Sequence, residues 1–235
     1  MLKKYLSILC SLMILQFSFA QNTYMPRDII KDQGSIVGFL SKIKPADSAI
    51  EGEPYLFTDW MYSKIFLKTN HLLENFKINL DLTNNEINVQ TNNDIRILEG
   101  SRVLYFQTYA NGNDTTLFVN GNNFKIDNTA LSGFLKVIVN GKWRVLSKTE
   151  IELLPPSYYV QFNAGNQNSK YSKKEVLFIA NERNQLARAK NIKKKELQFF
   201  GERETAVKEF VEAHKTKFSN QEDLADLVNF LNENQ

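Results

Sequence analysis

Cysteine and histidine, which supply most thiol chemistry and many metal sites, are nearly absent from this sequence. The chain of 235 residues contains one cysteine, Cys10, and two histidines, His71 and His214. Neither histidine has a second histidine three to five residues away, so the ligand spacing of the common zinc motifs is missing. We therefore expect no metal site and no bound cofactor.

Short catalytic motifs are missing as well. The sequence has no Gly-x-Ser-x-Gly element to expose a strained serine and no Gly-Lys loop to hold a phosphate. Ser41 and Lys44 match a Ser-x-x-Lys pattern without its companion elements, and the segment from Asp81 lacks the glycine and glutamate of a calcium loop. No catalytic residue is predicted. A pair of carboxylates assembled by the fold stays open, because sequence spacing does not set their separation.

Long apolar runs are also scarce, and the one that exists lies at the amino terminus. Lys3 and Lys4 precede the apolar residues 6–17, and the small-x-small sequence SFA places a cleavage site between Ala20 and Gln21. The run is shorter than the about 20 residues that a membrane-spanning helix needs. The sequence predicts a cleaved secretory signal, export to the periplasm or the outside, and no transmembrane segment in the mature chain.

Removal of residues 1–20 changes what the mature chain contains. Cys10 is lost, so no disulfide is expected, and the formal charge falls from +3 to +1 because Lys3 and Lys4 are lost without any acidic residue. The 215 residues that remain, 235 minus 20, are enough for one sizeable core.

One basic run stands out near the carboxyl terminus. Residues 181–200 carry six basic and two acidic side chains, a net of +4, whereas residues 201–235 carry four basic and eight acidic ones, a net of −4. Proteins that bind nucleic acid usually present uncompensated positive charge. The run is interpreted as the solvated face of a helix, with Leu186, Ala189 and Ile192 on its inner side. No nucleic-acid partner is predicted.

The middle of the chain has the pattern of antiparallel strands. In "FKINLDL" the apolar residues Phe76, Ile78 and Leu80 alternate with polar ones, as a half-buried strand requires. Asn140-Gly141, between two apolar runs, predicts a hairpin with a type I′ turn, and "SYYVQF" is expected to form a later strand. We expect a mainly β fold of roughly nine strands, arranged as an antiparallel sheet, a sandwich or an open barrel.

The hydrophobic period changes near the carboxyl terminus. Val207, Phe210 and Val211 recur at helical spacing, and Ser219 stands three residues before Glu222, as in a capping box. We expect two or three amphipathic helices there. The predicted division is a signal peptide at 1–20, an N-terminal segment and linker at 21–54, a β-rich domain at 55–180 and a helical C-terminal appendage at 181–235.

Four aromatic side chains are candidates for ligand contact. They are Trp60, Trp143, Tyr158 and Tyr159. Trp143 closely follows the predicted Asn-Gly turn, where a large ring can face either a ligand or the core. Because 17 phenylalanines and 9 tyrosines must also be packed, a place in the core is the competing interpretation.

The layout resembles a family of exported, β-rich proteins from Asn- and Lys-rich Gram-negative bacteria, a family with no established activity. The resemblance rests on "PYLFTDWMYSKIFL", "INLDLTNNEINV", "GFLKVIVNGKWRVL" and the tail from "NIKKKELQFF" to "NQEDLADLVNFLN". These are strand and helix patterns, so the resemblance implies the organisation of the chain and assigns no functional residue.

The function expected from these features is that of an exported, non-catalytic binding or interaction protein of the bacterial envelope or secretome. Its partner would be an envelope or extracellular protein or a glycan. Two alternatives stay open, a structural envelope protein and a carboxylate-dependent hydrolase. A hydrolase would bring several carboxylates together in a cleft, drawn from Asp59, Asp81, Glu86, Asp94, Glu99 and Glu175.

Overall fold

The computed structural model describes residues 28–31, 35–42, 50–92, 94–109, 114–158, 161, 163–192 and 197–234. The predicted signal peptide with its cleavage site at Ala20 and Gln21, the candidate Tyr159 and the lysines at 193–195 lie outside these residues. What the sequence predicts of them stays a prediction.

The chain is mainly β with a helical C-terminal region, which confirms the predicted class. The described residues form fifteen strands, more than the roughly nine predicted, and nine of the fifteen contain five residues or more. The strands are β1 Asp28–Ile30, β2 Ser41–Lys42, β3 Ile50–Glu51, β4 Met61–Leu67, β5 His71–Asp81, β6 Glu86–Gln90, β7 Ile95–Glu99, β8 Val103–Tyr109, β9 Thr115–Asn120, β10 Lys125–Ile126, β11 Thr129–Ala130, β12 Phe134–Val139, β13 Arg144–Leu154, β14 Ser169–Ala180 and β15 Leu186–Arg188; the two described α-helices are α1 Glu204–His214 and α2 Gln221–Glu233.

Thirteen strands belong to one sheet. Its order is β15-β14-β13-β12-β9-β8-β4-β5-β6-β7-β2, with β1 beside β5 and β3 beside β14. Those two added strands run parallel to their neighbours, whereas the other pairings are antiparallel, so the sheet is mixed. It does not close into a barrel. Strands β10 and β11 form a separate two-stranded ribbon.

The alternation predicted for β5 decides which face of the sheet is buried. Phe76, Ile78 and Leu80 are buried on one face, where they join the first hydrophobic core with Ile65 and Phe106. Each such side chain contributes about 1.5–3 kcal/mol relative to exposure to water. This core covers the part of the sheet from β12 to β7.

The helices cover the other end of the same face. Leu227 and Val228 of α2 and Val207 of α1 are fully buried against Val145 and Ile179 of β13 and β14. An amphipathic helix this short gains most of its stability from such packing. A third, smaller core of Phe124, Leu135, Leu146 and Phe178 lies on the opposite face of the sheet.

The start of α2 differs in detail from the predicted capping box. The cap is Asn220, not Ser219, and the Asn220 side chain accepts hydrogen bonds from the backbone N–H groups of Glu222, at 2.8 Å, and Asp223, at 3.0 Å. Asparagine is as good a cap as serine because its oxygen reaches the same free amides.

The hairpin around Asn140-Gly141 exists, but its turn is not the predicted type I′. Strand β12 ends at Val139 and β13 begins at Arg144, so four residues connect the strands, and of the Asn-Gly pair only Gly141 has a positive φ, of 150°. Helix α2 explains the departure, because the Asn232 side chain lies against this connection. A Cβ at Gly141 would come within 2.5 Å of the Asn232 amide nitrogen.

Two other local predictions are wrong. Residues 186–188, expected to belong to a basic helix with Leu186 on its inner face, form strand β15, which pairs with β14. Backbone pairing at the sheet edge outweighs the weak helical preference of this run. Ser157 and Tyr158, expected in a strand, lie in an irregular segment after β13.

A segment that links strands β14 and β5 of the sheet, residues 50–57, is called the strap here. At one end β3 pairs with the start of β14. At the other end Leu56 N–H donates to Leu80 O at 2.8 Å, and Asn79 exchanges two hydrogen bonds with the backbone of Phe57, at 2.8 and 3.1 Å. The strap therefore spans the space between β14 and β5.

Among the described residues, neither α-helix is long and apolar enough to span a bilayer.

Replacement of Asn232 by alanine is expected to destabilise the protein by about 1–3 kcal/mol. Asn232 Nδ2 donates to Trp143 O and Trp143 N–H donates to Asn232 Oδ1, both at 3.0 Å, so its loss leaves two part-buried backbone groups unpaired. Urea unfolding of the mature chain measures the change. The matched control is Asn229→Ala on the exposed side of the same helix, which should change the free energy of unfolding by less than about 0.5 kcal/mol. Equal effects of the two substitutions would contradict this account of the hairpin.

Candidate functional site

A cavity with converging polar groups lies between the strap and the sheet, and is called the trough here. Its volume is about 330 Å³. One wall is formed by β9, β12, β13 and β14, and the other by the end of β5 and the strap. The trough lies on the face that carries the first core and the helices, between the two. This volume is at the lower end of the range for small-molecule sites.

Aromatic rings form the floor of the trough. Phe118 and Phe134 are 5% exposed each, and Phe106 beneath them packs against both, with ring centroids 4.7 and 5.0 Å apart. Phe57 of the strap meets Phe118 edge to face at 5.7 Å. The remaining apolar lining consists of Leu56, Leu80 and Leu82. The floor continues from the first core and is held in place by it.

Hydroxyl groups from the two strands that flank β12 lie beside the aromatic floor. Thr116 of β9 and Ser147 and Thr149 of β13 line the trough. They face it because side chains two residues apart share one face of a strand, and Phe118 and Val145 of the same strands point inward. Ser147 is only 2% exposed, so its hydroxyl is a buried polar group in the wall.

Charged side chains stand at the rim. Lys136, Lys173 and Glu175 are solvent-exposed and line the opening. Lys136 shares a face with Phe134, and Lys173 and Glu175 share one with Ile179. Lys174 contributes to the lining, but alternation turns its side chain to the opposite face, where its cross-strand neighbour is Glu150. The charge offered to the trough is therefore two lysines against one glutamate, a net of +1.

Within the described residues, the rim charges are only partly engaged. Lys173 Nζ donates a hydrogen bond to Tyr55 O of the strap, which leaves two of its three N–H groups free of that bond. The side chains of Lys136 and Glu175 make no hydrogen bond or ion pair with any residue that the structure describes. The rim can thus offer N–H donors to a bound group without breaking an internal ion pair.

Glu51 anchors the far end of the strap. Its two carboxylate oxygens accept hydrogen bonds from Asn166 Nδ2 at 2.7 Å and Asn168 Nδ2 at 3.1 Å. These two amide donors favour the ionised form, so the pKa of Glu51 lies below its ordinary value. The neighbouring Gly52, with φ of 81°, lets the chain turn next to Tyr171.

The aromatic residues singled out in the sequence lie elsewhere. Trp143 is part of the helix-covered core, where its ring packs on Phe200 at 5.3 Å and on Phe199 at 5.9 Å. Trp60 is half-buried just before β4, and the Tyr158 hydroxyl donates to Asn163 Oδ1 at 2.5 Å. None of these three lines the trough, and Tyr159 is not described.

The six carboxylates named for the hydrolase alternative are spread over the molecule. Asp81 accepts hydrogen bonds from Thr83 and Asn84 in its own turn, and Asp94 lies 3.4 Å from Arg96. Glu86 and Glu99 are cross-strand neighbours on β6 and β7. Of the six, all of which are described, Glu175 is the one that lines the trough. In the described part of the chain no three histidine, cysteine or acidic side chains are grouped as a metal site.

The sequence contains a pattern that could have predicted the trough, but the predicted candidates were aromatic residues that lie elsewhere. Lys136 falls on the same side of its strand as Phe134 in "FLKVIV", and Thr149 and Ser147 fall on the same side as Val145. A lysine or hydroxyl on the apolar side of an alternating strand marks a place where the core gives way to a polar cavity.

Acidification is expected to loosen the strap through Glu51. A carboxylate whose pKa is depressed by folding stabilises the folded form above its ordinary pKa, about 4, and this contribution is lost as the pH falls through the folded value. Hydrogen exchange of the Leu56 and Phe57 amides, compared between about pH 6 and pH 3, measures the effect after correction for intrinsic rates. In the wild type these two amides should exchange faster at the lower pH. In the Glu51→Gln variant, whose residue 51 does not titrate, this increase in acid should be absent. An identical pH response in both proteins would count against this role.

Comparison with known proteins gave no relative: no protein-family model, no curated protein and no solved structure matches the chain.

Proposed function

We propose that this protein is an exported binding protein without catalysis of its own, and that the trough is the site where it holds a small ligand. The observation that carries the proposal is the joint presence of an aromatic floor and of exposed, partly unengaged rim charges in one cavity of about 330 Å³. Small-molecule sites typically combine such an apolar lining with a few polar groups that orient the ligand.

The fold supports this role through the rigidity of the floor. Phe106, Phe118 and Phe134 belong to the buried core, so the floor is formed before any ligand arrives. A preformed site loses less free energy to ordering when it binds. The site lies on regular strands and not on a long loop, which favours a fixed shape over an adaptable one.

The arrangement of carboxylates supports binding over hydrolysis. Two-carboxylate glycoside hydrolysis needs a pair of carboxyl groups about 5–10 Å apart. Glu175 is the carboxylate that the described residues bring to the trough, and it has no carboxylate partner in the described lining.

Filling the trough is expected to abolish binding. The neutral fluorescent probe N-phenyl-1-naphthylamine should bind the mature protein and brighten in the aromatic floor, and Thr149→Phe should weaken this binding at least about tenfold because the added ring occupies the cavity. Glu152→Phe is the matched control, since residue 152 is exposed on the opposite face of the same strand. Titration of the fluorescence measures both variants.

Two results would overturn the proposal. One is the absence of probe binding to the folded wild-type protein, or equal binding to Thr149→Phe. The other is hydrolysis of a p-nitrophenyl ester or glycoside by the purified protein that disappears in Glu175→Gln, because that result assigns catalysis to the trough.

Export is part of the same proposal, and it rests on the N-terminal pattern of Lys3, Lys4, the apolar residues 6–17 and Ala20. In a Gram-negative host the full chain is expected to reach the periplasm or the medium with Gln21 as its first residue. Ala20→Arg should block cleavage and leave residues 1–20 attached, whereas Gln21→Ala should be processed normally, because cleavage needs a small residue before the cut. The intact mass of the protein from each cell fraction shows whether residues 1–20 have been removed. A wild-type protein that stays unprocessed in the cytoplasm would contradict export.

A further inference from the structure

We propose that the ligand of the trough is a small amphipathic monoanion, with an apolar body on the aromatic floor and one carboxylate at the rim between Lys136 and Lys173. This inference rests on the function proposed above and specifies its ligand class.

The first argument is the charge at the rim. Lys136 and Lys173 outnumber Glu175, so the opening presents a net of +1. A neutral ligand would leave this net positive charge uncompensated, and the same charge would repel a cation. A dianion such as a phosphate monoester would exceed it by one charge. A ligand with a single negative charge balances the trough as a whole.

The second argument is the type of cation. Both positive groups are lysines, which act as point charges with three N–H donors, and no arginine and no helix N-terminus belongs to the described lining. Bidentate arginine forks and helix N-termini are the devices that favour phosphate groups. A carboxylate, which only accepts hydrogen bonds, suits the lysine N–H groups and the hydroxyl donors that line the same trough.

The third argument is the change from a polar lining at the opening of the trough to an apolar lining at its floor. The lysines are exposed at the opening, whereas Phe118 and Phe134 at the floor are 5% exposed. A molecule that enters with its charge outward meets lysine first and phenylalanine last. The apolar body gains free energy in proportion to the area that it removes from water, about 25 cal/mol per Å².

The fourth argument is size. A volume of about 330 Å³ equals roughly eleven water molecules at about 30 Å³ each. This space suits a medium-length alkyl chain or a compact group of two or three rings. A folded protein or a long glycan does not fit within it.

The test compares three probes that share one alkyl chain and differ in charge: decanoate, decanol and decylammonium. Each displaces N-phenyl-1-naphthylamine from the mature protein, below the concentration at which it forms micelles. Decanoate binding is expected to weaken about two- to fivefold in Lys136→Gln and again in Lys173→Gln, the size of a solvent-exposed ion pair. Decanol binding should stay within about twofold in both variants.

Lys142→Gln is the matched control. It removes the same charge from an exposed residue in the connection between β12 and β13, which does not line the trough, so decanoate binding should remain unchanged. Decylammonium should bind more weakly than decanoate to the wild type, and this difference should shrink in the double variant Lys136→Gln, Lys173→Gln. Circular dichroism and the melting temperature confirm that the variants are folded.

The outcomes separate the two proposals. If decanol and decylammonium displace the probe and decanoate does not, or if Lys142→Gln has the same effect as Lys136→Gln, the ligand class is wrong while the binding function stands. If none of the three displaces the probe and the probe itself does not bind, the binding function fails as well.

Discussion

Backbone pairing of residues 50–57 with both β14 and β5 is the contact on which the trough depends. The sheet, with β15 at one end and β2 at the other, carries the first and second cores on one face and without the strap would leave the middle of that face open to water. The strap covers this gap at one side. Its bonds to Leu80 and Asn79 and the pairing of β3 with β14 hold it at both ends, so the wall opposite β9 and β12 is part of the fold and not a free loop.

The first and second cores, which lie on the face of the sheet that carries the trough, have different structural roles. The first core, centred on Phe106 and Ile78, supports the trough floor from below, whereas the second core attaches α1 and α2 to β13 and β14. The helices end short of the trough, and none of its described lining comes from them. Trp143 belongs to the second core because the α2 side chain of Asn232 holds its backbone and Phe199 and Phe200 pack on its ring. Its size therefore serves packing.

Much of the architecture could be predicted from local patterns, and the errors have physical causes. The alternation in β5 and the helical spacing in α1 were sufficient, since each reflects which side of a single element is buried. The type I′ turn at Asn140-Gly141 was wrong because Asn232, more than ninety positions along the chain from Asn140, reshapes it. The helical interpretation of residues 186–188 was wrong because β14 offers an edge for pairing, which no local pattern reveals.

The sequence by itself determined the strand-rich class, the two C-terminal helices and the balance of charge, because these follow from neighbours a few residues apart. The tertiary structure alone decided the trough. Phe57, Lys136 and Lys173 are far apart in the chain. They line one cavity because β5, β12 and β14 belong to the same sheet and the strap lies over that sheet. The alternation of apolar and polar residues along a strand predicts which side chains point inward. Which other inward side chains it meets depends on strand order, and strand order is set by long-range pairing.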